Sequence, residues 1–113
     1  MIDDHEGFRL RMRRLLEREG YRVVEGVDGA DGIRRAVGER PDLILLDVNL
    51  PDASGFDVAT RLHSGGATAP IILISTHPAT DLADSIRRSG AAGFIDKADL
   101  SAPAIAAFLG SPS

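Results

Sequence analysis

The 113-residue chain contains no cysteine and no tryptophan, and its aromatic side chains are four phenylalanines and one tyrosine. Without cysteine, neither a disulfide framework nor a thiolate metal site can form. No apolar run approaches the roughly 20 residues of a membrane-spanning helix, and Met1-Ile2-Asp3-Asp4 lacks the basic and apolar regions of a secretory leader. A cytoplasmic location without membrane attachment is therefore expected. Lysine is nearly absent: of thirteen basic residues twelve are arginine, and the single lysine is Lys97. The two residues are not interchangeable where a compact point charge is wanted, so that position is singled out. The formal net charge of −4 argues against broad nucleic-acid binding and leaves other proteins as the expected partners.

What the chain does have is 43% hydrophobic content, enough for one core and a single domain over residues 1–113 with no room for an output domain. It is organised around Asp42 to Gly55. Leu43 to Leu46 is a short continuous apolar run, as in strands buried on both faces, and Asp47 closes it before Pro51 and Gly55 break the pattern. Residues 6–19 carry Phe8, Met12, Leu15 and Leu16 at helical spacing, with Arg9, Arg11, Arg13, Arg14 and Arg18 read as a solvated face, and Gly20 ends the helix. Tyr21-Arg22-Val23-Val24 is β-rich, and Asp28 can cap a second helix with core positions Ile33, Ala36 and Val37.

A third helix carries Phe56, Ala59 and Leu62, and Ile71 to Ser75 is a second apolar strand ending in a hydroxyl. Thr80 or Asp81 can cap a fourth helix through Leu82, Ala83 and Ile86, with Gly90 at its C′ position. Gly93-Phe94-Ile95 is a short strand followed by Asp96 and Lys97. Ser101 and Pro103 open a last helix through Ile105, Phe108 and Leu109, stopped by Gly110. Strands beginning near Tyr21, Leu43, Ile71 and Gly93, each followed by a helix, indicate an α/β fold with a parallel sheet covered on both faces.

On that frame Asp47, Ser75 and Lys97 fall at the carboxyl ends of three different strands, where open α/β sheets form their ligand crevice. The acid pair Asp3-Asp4 joins them. Carboxylates brought together repel unless a cation neutralises them, and oxygen donors with little else around suit Mg²⁺. A carboxylate can also accept a phosphoryl group, with a metal and a lysine balancing the charge. Alternatives stand beside these readings: Asp47 as a loop cap, Asp3 or Asp4 as a helix cap, Ser75 as a turn hydroxyl and Phe94 as permanent core. His5, His63 and His77 lack metal-ligand spacing and are read as surface residues.

Four segments in order, Asp3-Asp4, Leu45 to Asp52 with Gly55, Ile71 to Ser75, and Gly93 to Lys97, resemble the receiver domain of bacterial two-component response regulators, the CheY-like family. The resemblance covers essentially the whole chain. It implies a flavodoxin-like, doubly wound, five-stranded parallel sheet of order 2-1-3-4-5. It further implies that Asp47 accepts a phosphoryl group from a partner histidine kinase. Asp4, Asp47 and the backbone carbonyl of Asn49 would bind Mg²⁺ directly, with Asp3 acting through a water. Ser75 takes the place of the switch hydroxyl, Phe94 of the switch aromatic and Lys97 of the phosphate-contacting lysine. Switching would remodel the surface of the fourth helix, fifth strand and fifth helix in the family's count, which binds the effector protein and offers a route to a homodimer. Such a domain is not an enzyme beyond catalysing its own phosphorylation and dephosphorylation.

Two departures stand out. Ala98 follows Lys97 where many receivers have proline. Ahead of the acid pair only Met1 and Ile2 stand for a first strand of about five residues, so that strand is expected to be truncated and the natural protein to begin upstream. A phosphorylation-independent receiver-like interaction module is the alternative function. An aspartate-nucleophile phosphatase is disfavoured because Asn49 stands where a second acid is needed.

Overall fold

The computed structural model describes residues 1–76 and 82–109, with only the backbone of Leu109. Helix α1 (Glu6–Arg18) buries Met12 and Leu16 from its apolar stripe, and Gly20 turns the chain away at φ 90°, a conformation that favours glycine. Helix α2 (Gly29–Glu39) is capped by Asp28, whose carboxylate accepts from Asp31 N at 2.8 Å. Strand β1 (Ile44–Asp47) leads to α3 (Gly55–Ser64), where the Ser54 hydroxyl accepts from the Phe56 and Asp57 amides. Then follow β2 (Ile71–Ser75), α4 (Ala83–Ser89), β3 (Gly93–Asp96), a 3-10 turn at Lys97–Asp99, and α5 (Ala102–Leu109). The Ser101 hydroxyl opens α5 by accepting from Ala104 N, and Gly90 ends α4 at φ 77°. The expected caps Thr80 and Asp81, His77 and the stop at Gly110 lie outside the described residues.

The three strands are parallel in the order β1-β2-β3, with Leu46 level with Leu73 and Leu73 with Phe94. Every residue of β1 and β2 is buried. Ile44, Leu46, Ile71 and Leu73 face a core shared with Val58, Ala59 and Leu62 of α3. Leu45, Ile72 and Ile74 face Met12 and Leu16 of α1 and Ile105 of α5. Strands covered on both faces need apolar residues at successive positions, which is why these runs are continuous rather than alternating.

Two expectations change. Val37 is 65% exposed, because α2 is covered only along the flank that carries Gly29, Gly32, Ile33 and Ala36. Tyr21 to Val24 forms no strand. Among the described residues the expected five-strand sheet narrows to three strands, with Ile2 bridging in parallel to Gly26 on one side and Leu46 on the other. The physical reason is reach, since a strand needs a partner along its length and Met1 pairs no further back than Val24.

The Met1 amine is itself buried and donates to the Val24 carbonyl at 2.8 Å. Burial pushes it down from 8.0 to about 6, with Glu25 partly opposing. Between those values the unfolded chain holds a proton that the folded chain has released, so stability rises with pH across pH 6 to 8. The expected contribution is about 2–3 kcal/mol between the two ends of that window. Chemical denaturation at pH 6 and pH 8 checks this, and N-terminal acetylation should abolish this component of the difference.

Candidate functional site

The parallel sheet brings its carboxyl edges together at one end, and the charged residues collect there. Asp3 follows the Ile2 bridge, Asp47 ends β1, Ser75 ends β2 and Lys97 follows β3. Asp3 is fully buried and Asp47 is 2% exposed. The Lys97 ammonium lies 2.8 Å from Asp3 Oδ2 and 3.3 Å from Asp47 Oδ2, spanning the two. Lys97 Nζ also sits 4.6 Å from the centroid of the Phe8 ring, whose face suits a cation. The only lysine of the chain therefore stands where two buried carboxylates need a compact positive charge.

The Asp47 carboxyl is pushed up from its ordinary value chiefly by burial, with the Asp3 carboxylate adding to the effect. The Asn49 amide, 3.1 Å from Asp47 Oδ1, and Lys97 act in the opposite direction. Asp4 is half-exposed at the mouth of the cluster. Ligand atoms of Asp3, Asp4, His5 and Asp47 all lie within 4.8 Å of one another, a spacing that one cation can span. Three of these four donors are carboxylates and the fourth is an imidazole nitrogen, and the three carboxylates fit Mg²⁺, a hard ion of oxygen-rich sites.

His5 and Arg9 are the residues that sequence reasoning missed. His5 Nδ1 is 3.1 Å from Asp3 Oδ1 and 3.4 Å from Asp4 Oδ1, so it stands within the cluster although its side chain is exposed. Its adjacency to the acid pair was the available signal. Arg9, grouped with the solvated arginines, instead turns inward, donating to the Asp3 carbonyl at 2.6 Å and pairing with Glu25. Asp52 reaches across to accept from Gly29 N and Ala30 N at 2.7 and 3.0 Å, fixing the start of α2 against the loop after β1.

Gly55 is required by that loop. A Cβ there would lie 2.2 Å from the Asp47 carbonyl oxygen and 2.7 Å from Val48 Cα, both main chain and unable to yield cheaply. Gly55→Ala is expected to cost about 1–3 kcal/mol and to displace Asp47. Urea unfolding checks the first effect, and Mg²⁺ titration the second.

Residues 1–105 match the family described as the response regulator receiver domain. The chain belongs to that family. Two curated relatives are the virulence-factor regulator BvgA of Bordetella pertussis, 37% identical over 98 residues, and the transcriptional regulatory protein KdpE of Mycobacterium tuberculosis, 36% identical over 99. Each match covers 86% of this receiver, which spans less than half of those proteins, 47% and 42%. A two-component response regulator of the LuxR family from an Aurantimonas species superposes with TM-score 0.85 at 31% identity, covering 96% of this chain and 81% of its own. A response regulator from Burkholderia pseudomallei, solved with a phosphorylated aspartic acid and a calcium ion, gives 0.85 at 26%, covering 97% and 64%.

Within the receiver frame Ser75 is buried at the end of β2, level with Asp96 in the adjacent strand. Phe94, in β3, is partly buried against the core that includes Leu46 and Leu73. Asn49 touches the group of Asp3, Asp4, Asp47 and Lys97 through its amide.

Proposed function

We propose that this receiver accepts a phosphoryl group on Asp47 from the phosphohistidine of a sensor kinase, in a Mg²⁺-dependent reaction. The carrying observation is the buried Asp47 carboxylate held at the sheet edge beside Asp3, Asp4 and the Lys97 ammonium. An Asp47 carboxylate oxygen attacks phosphorus, the phosphorus–nitrogen bond to the donor imidazole breaks, and the pair leaves on that ring. Bound Mg²⁺ would supply charge neutralisation on the transferred oxygens, held by Asp4, Asp47 and the Asn49 carbonyl, with Asp3 acting through a water. Lys97 exchanges its bond to Asp47 Oδ2 for one to the phosphoryl group, keeping its charge on the atoms where negative charge grows.

The Burkholderia relative carries a phosphorylated aspartic acid and a divalent ion, which supports the same chemistry here. Its arrival is reported by Ser75, whose hydroxyl bonds a phosphoryl oxygen, and by inward movement of Phe94, favouring a second packing of α4, β3 and α5. That surface then binds an effector protein in the cytoplasm. Thermal unfolding with Mg²⁺ and with EDTA tests the site: millimolar Mg²⁺ should raise the midpoint of wild type and leave Asp4→Asn nearly unmoved. An equal response in both proteins contradicts the assigned ligands.

A further inference from the structure

The Lys97 ammonium is held by Asp3 Oδ2 at 2.8 Å, by Asp47 Oδ2 at 3.3 Å and by the Phe8 ring, whose centroid is 4.6 Å away. The hold of the two carboxylates is conditional. A cation that fills the cluster of Asp3, Asp4 and Asp47 takes up their charge, and a phosphoryl group on Asp47 replaces the free carboxylate altogether. The ring has no proton to lose and offers a hard metal ion no ligand atom. Its negative face therefore attracts the ammonium in every state of the site.

Phe8 is anchored independently of that chemistry. It lies in the first turn of α1, partly buried against the core of Met12, Leu16 and Ile105. Arg9 ties the same turn down, donating to the Asp3 carbonyl at 2.6 Å and to Glu25 at 3.2 Å, and Arg13 bonds Glu25 from the next turn at 3.0 Å. Lys97, by contrast, opens a three-residue 3-10 turn and carries its charge on a flexible four-carbon stem. Its side chain is only 11% exposed, so little water competes with the ring for the ammonium, the setting in which a cation gains most from an aromatic face.

We infer that Phe8 is a positioning residue for phosphoryl transfer, its ring face keeping the Lys97 ammonium beside Asp47 once the carboxylates no longer do. The charge is then in place where negative charge grows on the transferred oxygens. The inference rests on Asp47 as the phosphoacceptor. Leucine at position 8 would keep the apolar contact with Met12 and Ile105 and lose the face. The ammonium would then be shared between the phosphoryl group and solvent, and transfer should slow by about tenfold, the fold-change that a desolvated cation–aromatic contact corresponds to. A ring that only fills the core makes a different forecast, since its replacement would alter stability and leave the rate alone.

The test compares the full chain with Phe8→Leu, Phe8→Tyr and variants carrying one, two or three fluorines on the ring at position 8. Fluorine withdraws charge from the ring face while keeping the ring's shape and apolar character, so the fluorinated series stays folded if leucine does not. Initial rates of phosphoryl uptake from acetyl phosphate at saturating Mg²⁺, read by intact mass, should fall with each added fluorine. Phe8→Leu should be about tenfold slower than wild type, and Phe8→Tyr within about threefold of it. Because the chain has a single lysine, isotope-labelled lysine gives one side-chain methylene signal by NMR. That signal should show an upfield ring-current shift, with and without Mg²⁺, which Phe8→Leu removes. Mg²⁺ affinity should not weaken in any variant. The inference is overturned if the fluorinated series reacts at the wild-type rate, if Phe8→Leu leaves the lysine signal in place, or if slower transfer goes with weaker Mg²⁺ binding. A wild-type receiver that takes up no phosphoryl group overturns the phosphoacceptor reading and this role together, and is told apart from failure of this inference alone, in which wild type and Phe8→Leu react equally fast.

Discussion

Asp47→Asn is expected to fold more stably than the wild-type receiver and to take up no phosphoryl group at all. The carboxylate is 2% exposed, and burial together with the Asp3 carboxylate raises its pKa against the opposing Asn49 amide and Lys97. A carboxyl whose folded pKa is raised favours folding in full only below its unfolded value near 3.8, and loses that contribution as pH rises through the folded value. At neutral pH the ionised group therefore works against the fold, and a neutral amide of the same shape removes the cost. The midpoint of thermal unfolding should rise by about 2–6 °C at pH 7. The gain should shrink toward zero as the pH is lowered to 4. A lower midpoint at pH 7 would mean that Asp47 contributes structure rather than reactivity.

Lys97→Met should have the opposite sign. Its ammonium lies 2.8 Å from Asp3 and 3.3 Å from Asp47, and the lysine side chain is only 11% exposed. Removing one partner from a buried charge cluster leaves the others uncompensated, at a cost of about 3–5 kcal/mol. Methionine fills most of the volume, so the loss is electrostatic rather than a cavity. Two conditions should restore part of it: Mg²⁺, which supplies a substitute charge, and acid pH, which neutralises the carboxylates. Urea unfolding in those conditions separates this account from a packing defect, which neither condition would repair. Phosphoryl uptake should fall by about two orders of magnitude or more, since the same charge is proposed to stabilise the transferred oxygens.

Much of the frame was legible because burial on both sides of a parallel sheet leaves a strong mark. Leu43 to Leu46 and Ile71 to Ile74 are continuous apolar runs, and the placement of Asp47, Ser75 and Lys97 follows from the rule that strand ends converge. The Lys97–Asp47 contact spans 50 residues of sequence and was still expected, because each residue ends or follows a strand. Local composition failed at Tyr21 to Val24, where β-rich residues form no strand because a strand depends on a partner elsewhere in the chain. Val37 failed similarly, since helical spacing cannot say how much of a helix its neighbours cover. Arg9 was misread for another reason: whether a polar side chain on the first turn of a helix points inward is decided by what lies beneath it, here the Asp3 carbonyl and Glu25, whereas His5 is exposed as expected and only its place beside the acid pair went unread.

The most direct measurement is intact mass of the wild-type receiver after incubation with acetyl phosphate, with Mg²⁺ and with EDTA, followed by mapping of the modified residue. The account predicts one added phosphoryl group, on Asp47, in the Mg²⁺ sample alone. A folded sample that takes up none, or takes it up elsewhere, would contradict the phosphoacceptor assignment and leave a phosphorylation-independent interaction module in its place.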